Sequence, residues 1–143
     1  MKSTDELTTL FRDQGLRVTP QRQAIFRLLH GNGGHPTVDW LYEAARSEMP
    51  TISLKTVYAT VHDLEALGQV ELRDLGTGSV RVDPNVEVAH HHLICTSCGK
   101  VRDLPVDFPG LKVPARLQAG FSVDAVEINF RGQCDDCATA STI

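Results

Sequence analysis

SLKTVYATVHDLEALGQVELRDLGTGSVRVD, from Ser53 to Asp83, contains two different hydrophobic periods separated by a glycine. Up to Leu67 the apolar residues Leu54, Val57, Val61 and Leu64 recur every three or four positions, which is the spacing of one helix face. Ser53 is placed as the N-cap, because its hydroxyl can accept a first-turn backbone N–H, and Gly68 as the residue that leaves the helix with positive φ. At about 100° per residue, Lys55, Thr56, Ala59, His62 and Asp63 point away from the apolar face, with Tyr58 at its border. Beyond Gly68 the period falls to two. Val70-Glu71-Leu72-Arg73 and Val80-Arg81-Val82-Asp83 alternate around a Gly76-Thr77-Gly78-Ser79 turn, which predicts a β-hairpin with Arg73 and Arg81 on its polar face.

Toward the N-terminus the same reasoning predicts three more helices. Residues 5–14 form a short opening helix that Gly15 ends. Thr19 and Pro20 read as N-cap and first helical residue, since proline has no N–H to leave unsatisfied there; Ala24, Ile25, Leu28 and Leu29 then carry a helix over 20–30. After Pro36-Thr37 a further helix turns Val38, Leu41, Tyr42, Ala45 and Met49 inward, and Pro50 closes it. Three short helices followed by a hairpin is the winged-helix order, in which the last helix enters the major groove and the hairpin meets phosphate.

Toward the C-terminus the composition changes. Residues 1–83 are read as the winged-helix domain, 84–89 as a hinge and 90–143 as a second, metal-binding domain, for an α+β chain. In the second domain the pattern predicts strands over 90–95 and 100–104, a helix over 109–119, a strand over 121–131 and a loose tail over the last six residues. His30 is expected to cap a helix C-terminus, and His91 to be a surface or second-site residue.

Two constellations carry chemistry. Cys95-x-x-Cys98 and Cys134-x-x-Cys137 are chelating knuckles, because two intervening residues let both thiolates reach one ion at about 2.3 Å. Four sulfurs close a tetrahedron and leave no open position, so zinc bound there is structural. The other constellation is Ala89-His90-His91-His92-Leu93-Ile94-Cys95, in which strand parity puts His90 and His92 on one face and His91 and Cys95 on the other. Asp83 and Asp103 are near in sequence, and His35 precedes a helix; mixed imidazole and carboxylate ligands suit Fe(II), Mn(II), Co or Zn better than copper(I). A solvated histidine run is the plainer alternative.

The net charge of −4 excludes a uniformly basic nucleic-acid-binding domain and confines any DNA surface to a local patch of arginines. No apolar run approaches the roughly 20 residues of a membrane span, and the opening Met1-Lys2-Ser3-Thr4-Asp5-Glu6 has no signal-peptide core, so the expected location is the cytoplasm. Paired cysteines there point to metal rather than disulfides. A small metallohydrolase and a zinc-stabilised module that never meets DNA stay open at this level, although no general base declares itself for the first.

Taken together, Leu16-Arg17-Val18-Thr19-Pro20-Gln21-Arg22, His35-Pro36-Thr37, Ser53-Leu54-Lys55-Thr56-Val57-Tyr58, His90 to Cys95 and Cys98-Gly99-Lys100 resemble the ferric uptake regulator family from about residue 5 to Cys137. The resemblance implies a homodimeric winged-helix repressor, not an enzyme, on a palindromic operator in double-stranded DNA, with the second domain as its dimerisation module. It implies structural zinc on Cys95, Cys98, Cys134 and Cys137, and regulatory Fe(II) or Mn(II) on His35, Asp83, His90, His92 and Asp103. Aspartate rather than glutamate at position 103 is similar to the peroxide-responsive branch, in which Fe(II) and peroxide oxidise a ligand histidine, here His35 or His90. An iron- or zinc-responsive uptake repressor without peroxide chemistry is the alternative. The DNA-facing set expected from the helix, hairpin and flanking loop is Arg17, Arg22, Lys55, Thr56, Tyr58, His62, Arg73 and Arg81. The last strand lacks a histidine that many members carry, since Asp124-Ala125-Val126-Glu127-Ile128 contains none, so no second regulatory site is expected.

Overall fold

In a computed structural model, which describes residues 1–140, the chain separates into two units, Met1–Glu87 and Val88–Ile143. The division falls within the Pro84–Ala89 stretch where the composition changes. Among the described residues no helix is long and apolar enough to cross a membrane.

The first unit contains α1 (Thr4–Asp13), α2 (Pro20–Leu29), α3 (Val38–Glu48), α4 (Leu54–Ala66) and a hairpin of β1 (Glu71–Arg73) and β2 (Arg81–Asp83). Each helix begins where a side-chain oxygen meets an otherwise unbonded N–H. Ser3 and Glu6 form a reciprocal capping box, and Thr19, Thr37 and Ser53 accept from Arg22, Trp40 and Thr56 at 3.2, 3.0 and 3.1 Å. His30 is the C-cap of α2, as its position implied. Gly68 follows the C-cap of α4 at φ +67°; open space surrounds its missing Cβ, so the backbone angle alone selects glycine.

The apolar stripes meet in one core that includes Leu7, Phe11, Phe26, Leu41, Val61 and Val82. Phe11 and Phe26 pack edge to face with ring centroids 4.9 Å apart. Leu54, expected on the inner face of α4, is instead 37% exposed. It occupies the first helical position, and Ile52, just before the cap, enters the core with Val57 in the manner of a hydrophobic staple.

The second unit is built on a three-stranded sheet, β4-β3-β5, from β3 (His91–Cys95), β4 (Val101–Leu104) and β5 (Asn129–Gly132), followed by α5 (Asp135–Ala140). β4 runs antiparallel and β5 parallel to the central β3. Three sequence expectations are corrected here, the last of them in part. The helix over 109–119 is reduced to one 3-10 turn at Ala115–Leu117, because Pro114 has no N–H to give an earlier turn and Gly120 follows at φ +82°. The strand over 121–131 is paired only from Asn129, because β3 begins at His91 and its ladder with β5 starts at His92 opposite Asn129. Upstream of that register Phe121, Val123 and Val126 are exposed. The expected loose tail is partly corrected: residues 138–140 belong to α5, and 141–143 lie outside the described residues.

Candidate metal centres

The parallel pairing of β3 with β5 sets Cys95 opposite Gly132, which carries Cys134 to the first knuckle. The Thr96 N–H donates to the Gly132 carbonyl at 2.8 Å and fixes that approach. One sulfur from each of Cys95, Cys98, Cys134 and Cys137 lies within 4.8 Å of every other. The Sγ atoms of Cys98 and Cys134 are 3.8 Å apart, far beyond a disulfide bond. A tetrahedron with 2.3 Å arms has edges of about 3.8 Å, so the spacing fits a zinc ion.

The cluster is also electrostatically prepared for a cation. The Cys134 N–H, which donates to Cys95 Sγ at 3.4 Å, leads several backbone donors that lower the Cys95 pKa to about 6. Cys137 is pushed up to about 12, first by its hydrogen bond to Cys134 and then by Cys98. The Cys95 thiolate thus forms readily, whereas a charge on Cys137 is resisted until a metal is there to neutralise it.

The second group of donors is divided between the two units. In the second unit His92 stands opposite Asp103 in the β3–β4 ladder. His90 and His92 are buried, with ring centroids 4.8 Å apart. Their Nε2 atoms lie 3.3 and 3.9 Å from the same oxygen, Asp103 Oδ1. His90 Nδ1 is 2.8 Å from the Val88 carbonyl, which can only accept; Nδ1 therefore carries a proton, and Nε2 is the nitrogen directed at Asp103. Two imidazoles and a carboxylate converging in this way suit Fe(II) or Mn(II). On the opposite face His91 is a structural acceptor rather than a surface residue: its Nδ1 takes the Ile128 N–H at 3.1 Å and its ring lies against Phe108.

In the first unit His35 and Asp83 are fully buried, with His35 Nε2 3.7 Å from Asp83 Oδ2. His35 holds φ +49°, an uncommon backbone for a residue with a Cβ. It is kept there by Arg81, whose Nη1 donates to the His35 carbonyl at 3.2 Å, and by the Val82 N–H bonded to the Pro36 carbonyl at 2.8 Å.

The DNA-facing set divides. Lys55, Tyr58 and His62 are exposed on α4, with Thr56 half-buried, and Arg17 is exposed in the loop before α2. Arg22, Arg73 and Arg81 each also have partners within the protein. Arg22 pairs with Asp63 at 2.7 Å over the Phe11 ring, Arg73 pairs with Glu71 and Asp83, and Arg81 bonds His35 and Thr77. Sequence reasoning also missed Glu127, whose Oε1 is 3.5 Å from His92 Nδ1. Nothing in the local pattern marks Glu127; the β3–β5 register brings it there.

Residues 13–130 match the ferric uptake regulator family. The peroxide-responsive repressor PerR of Staphylococcus aureus is 35% identical over 136 residues, covering 93% of this chain and 90% of that protein. A zinc-bound manganese uptake regulator superposes with a TM-score of 0.71 at 30% identity, over 93% of this chain and 99% of that one. A PerR from Streptococcus pyogenes, studied for peroxide sensing and gene regulation, superposes with a TM-score of 0.55 at 26% identity, over 96% and 94% of the two chains. The chain belongs to the ferric uptake regulator family, whose members are transcriptional regulators.

Proposed function

We propose that this protein is a homodimeric, metal-dependent DNA-binding repressor that senses hydrogen peroxide through a histidine–aspartate ion site. The observation that carries the reading is the convergence of His90 Nε2 and His92 Nε2 on one oxygen of Asp103. The ligand set is His35, Asp83, His90, His92 and Asp103, so one ion draws on both units of the chain. Held by these residues, Fe(II) would supply reducing power toward peroxide, and a ligand imidazole, His35 or His90, would be the group oxidised. Structural zinc on Cys95, Cys98, Cys134 and Cys137 holds the second unit.

The residues themselves perform the rest. His90 and His92 offer nitrogen donors whose orientation is set by Val88 and Glu127. Lys55, Tyr58 and His62 of α4 present polar and aromatic groups to a major groove, with Arg17 beside them. Exposed Leu111, Leu117, Phe121, Val123 and Val126 form an apolar run of the kind a second copy covers. Two-fold pairing then calls for a palindromic operator. Ion binding favours repression only to the extent that the ion binds the DNA-competent arrangement more tightly.

The manganese uptake regulator at 30% identity supports a second reading, ion sensing without oxidation at the same donors. Gel-shift titrations with Mn(II) and Fe(II), before and after peroxide, separate the two. Peroxide sensing predicts loss of DNA binding only with Fe(II), together with one added oxygen atom on the His35 or His90 peptide by mass spectrometry. Peroxide-resistant binding with Fe(II) leaves the uptake reading.

A further inference from the structure

Asp83, the reader-side carboxylate of the proposed ion site, is held more closely by an arginine than by its histidine neighbour. Its Oδ2 accepts from Arg73 Nε at 2.7 Å, against 3.7 Å to His35 Nε2, and its Oδ1 accepts the Asn85 N–H at 2.9 Å. The hairpin register explains the reach. Glu71 is opposite Asp83 and Arg73 is opposite Arg81, so Arg73 and Asp83 are diagonal neighbours on one face, a distance that a long side chain spans. The Asp83 side chain is 0% exposed and that of Arg73 19%, so this pair is shielded from the water and salt that weaken surface pairs.

The second wing arginine is tied to the same corner. Arg81 donates to the carbonyl of His35, at the residue with positive φ, and to Thr77 Oγ1 in the hairpin turn at 3.1 Å. Both arginines expected at phosphate are thus attached to the residues expected at the ion.

We propose that Arg73 is a positioning residue that holds the Asp83 carboxylate and competes with a divalent cation for it, so that ion uptake and the conformation of the hairpin are linked. The inference rests on the reading of Asp83 as a ligand. A guanidinium keeps its charge at every physiological pH, so its repulsion of an incoming cation is permanent. As Asp83 turns to the cation, Arg73 keeps its 2.7 Å partner Glu71, on the strand opposite Asp83, and the cross-strand tie is released. That difference in contacts between two states is what a linked equilibrium requires.

The test uses the full-length, zinc-loaded protein and Mn(II) as the probe ion. Arg73→Gln binds Mn(II) about tenfold more tightly than the parent, the modest gain expected when one partly shielded positive charge is removed beside an incoming cation, and Arg73→Lys restores the parent affinity. At saturating Mn(II) the dependence of DNA affinity on salt is the same in R73Q and the parent. A phosphate contact would instead lower that slope by about one unit in R73Q. Without any ion, the Arg73 Nε–H resonance moves toward its solvent-exposed position in Asp83→Asn. Unchanged or weaker Mn(II) binding by R73Q, or a reduced salt slope, overturns the proposal. The two readings fail separately: D83N with unaltered Mn(II) affinity removes the ligand reading and this inference with it, whereas weakened D83N beside unaltered R73Q removes only the inference.

Discussion

The sulfur cluster and the imidazole–carboxylate set differ in where their donors come from. All four cysteines belong to the unit from Val88 onward, and one strand register gathers them. The five nitrogen and oxygen residues are divided, with His35 and Asp83 in the first unit and His90, His92 and Asp103 in the second. A centre supplied by one unit can stabilise that unit and nothing else. One ion shared by both sets, as proposed, makes its occupancy depend on how the units are arranged, which is the property of a switch. The comparison therefore predicts that damage to the two centres has different consequences.

The largest effect is expected at the cysteines. Cys134→Ser removes one of four thiolates from a site whose metal contributes on the order of 10 kcal/mol to folding in comparable structural centres. Zinc content by elemental analysis should fall to background, and light scattering should show loss of the proposed dimer. A dimeric variant that retains zinc breaks the assignment of this cluster as the staple.

Next is His90→Ala. Zinc content, thermal unfolding and dimer mass should match the parent, while Mn(II) affinity falls by more than about a hundredfold and metal-dependent DNA binding disappears. Identical behaviour of the cysteine and histidine variants would erase the distinction between staple and sensor. Glu127→Gln sharpens the same comparison more finely. Its carboxylate orients His92 through Nδ1, so Mn(II) binding by calorimetry should weaken about tenfold with zinc untouched. Unchanged binding removes Glu127 from the site.

These residues were not equally legible in the sequence. The helices of the first unit could be read because each has a local start signal, such as Thr19 before Pro20 or Ser53 before an apolar stripe. The cysteine pairs could be read because a two-residue gap is itself the chelating geometry. Parity separated His92 from His91 for the same reason: it is a property of one strand. What could not be read depends on register between distant segments. Glu127 reaches His92 only through the pairing of β3 with β5, and Arg73 reaches Asp83 only because the turn sets Glu71 opposite it. The expected helix over 109–119 failed for a local reason that weighed too little, the missing N–H of Pro114.

The smallest effect is expected at a contact that joins the two cysteine knuckles without ligating anything. Lys100 Nζ donates to Asp136 Oδ2 at 2.6 Å, from just after Cys98 to just before Cys137. The hydrogen bond raises the Lys100 pKa and lowers that of Asp136. For Asp136 a depressed folded value means that its support is complete above the ordinary carboxylate range and is lost as pH falls through the folded value, below 3.8. For Lys100 a raised value means support that is complete below its ordinary range and is lost as pH rises through the folded value, above 10.5. Between those limits the contribution is flat. Both groups face water, so salt screens the pair. Lys100→Met should therefore leave zinc content unchanged and shift thermal unfolding only slightly, equally at pH 6 and pH 9 and less at high salt. A pH-dependent loss of zinc in that variant would mean that the pair governs the charge of the thiolates rather than merely bracing the knuckles, and the sulfur centre would then be less self-contained than its single-unit origin implies.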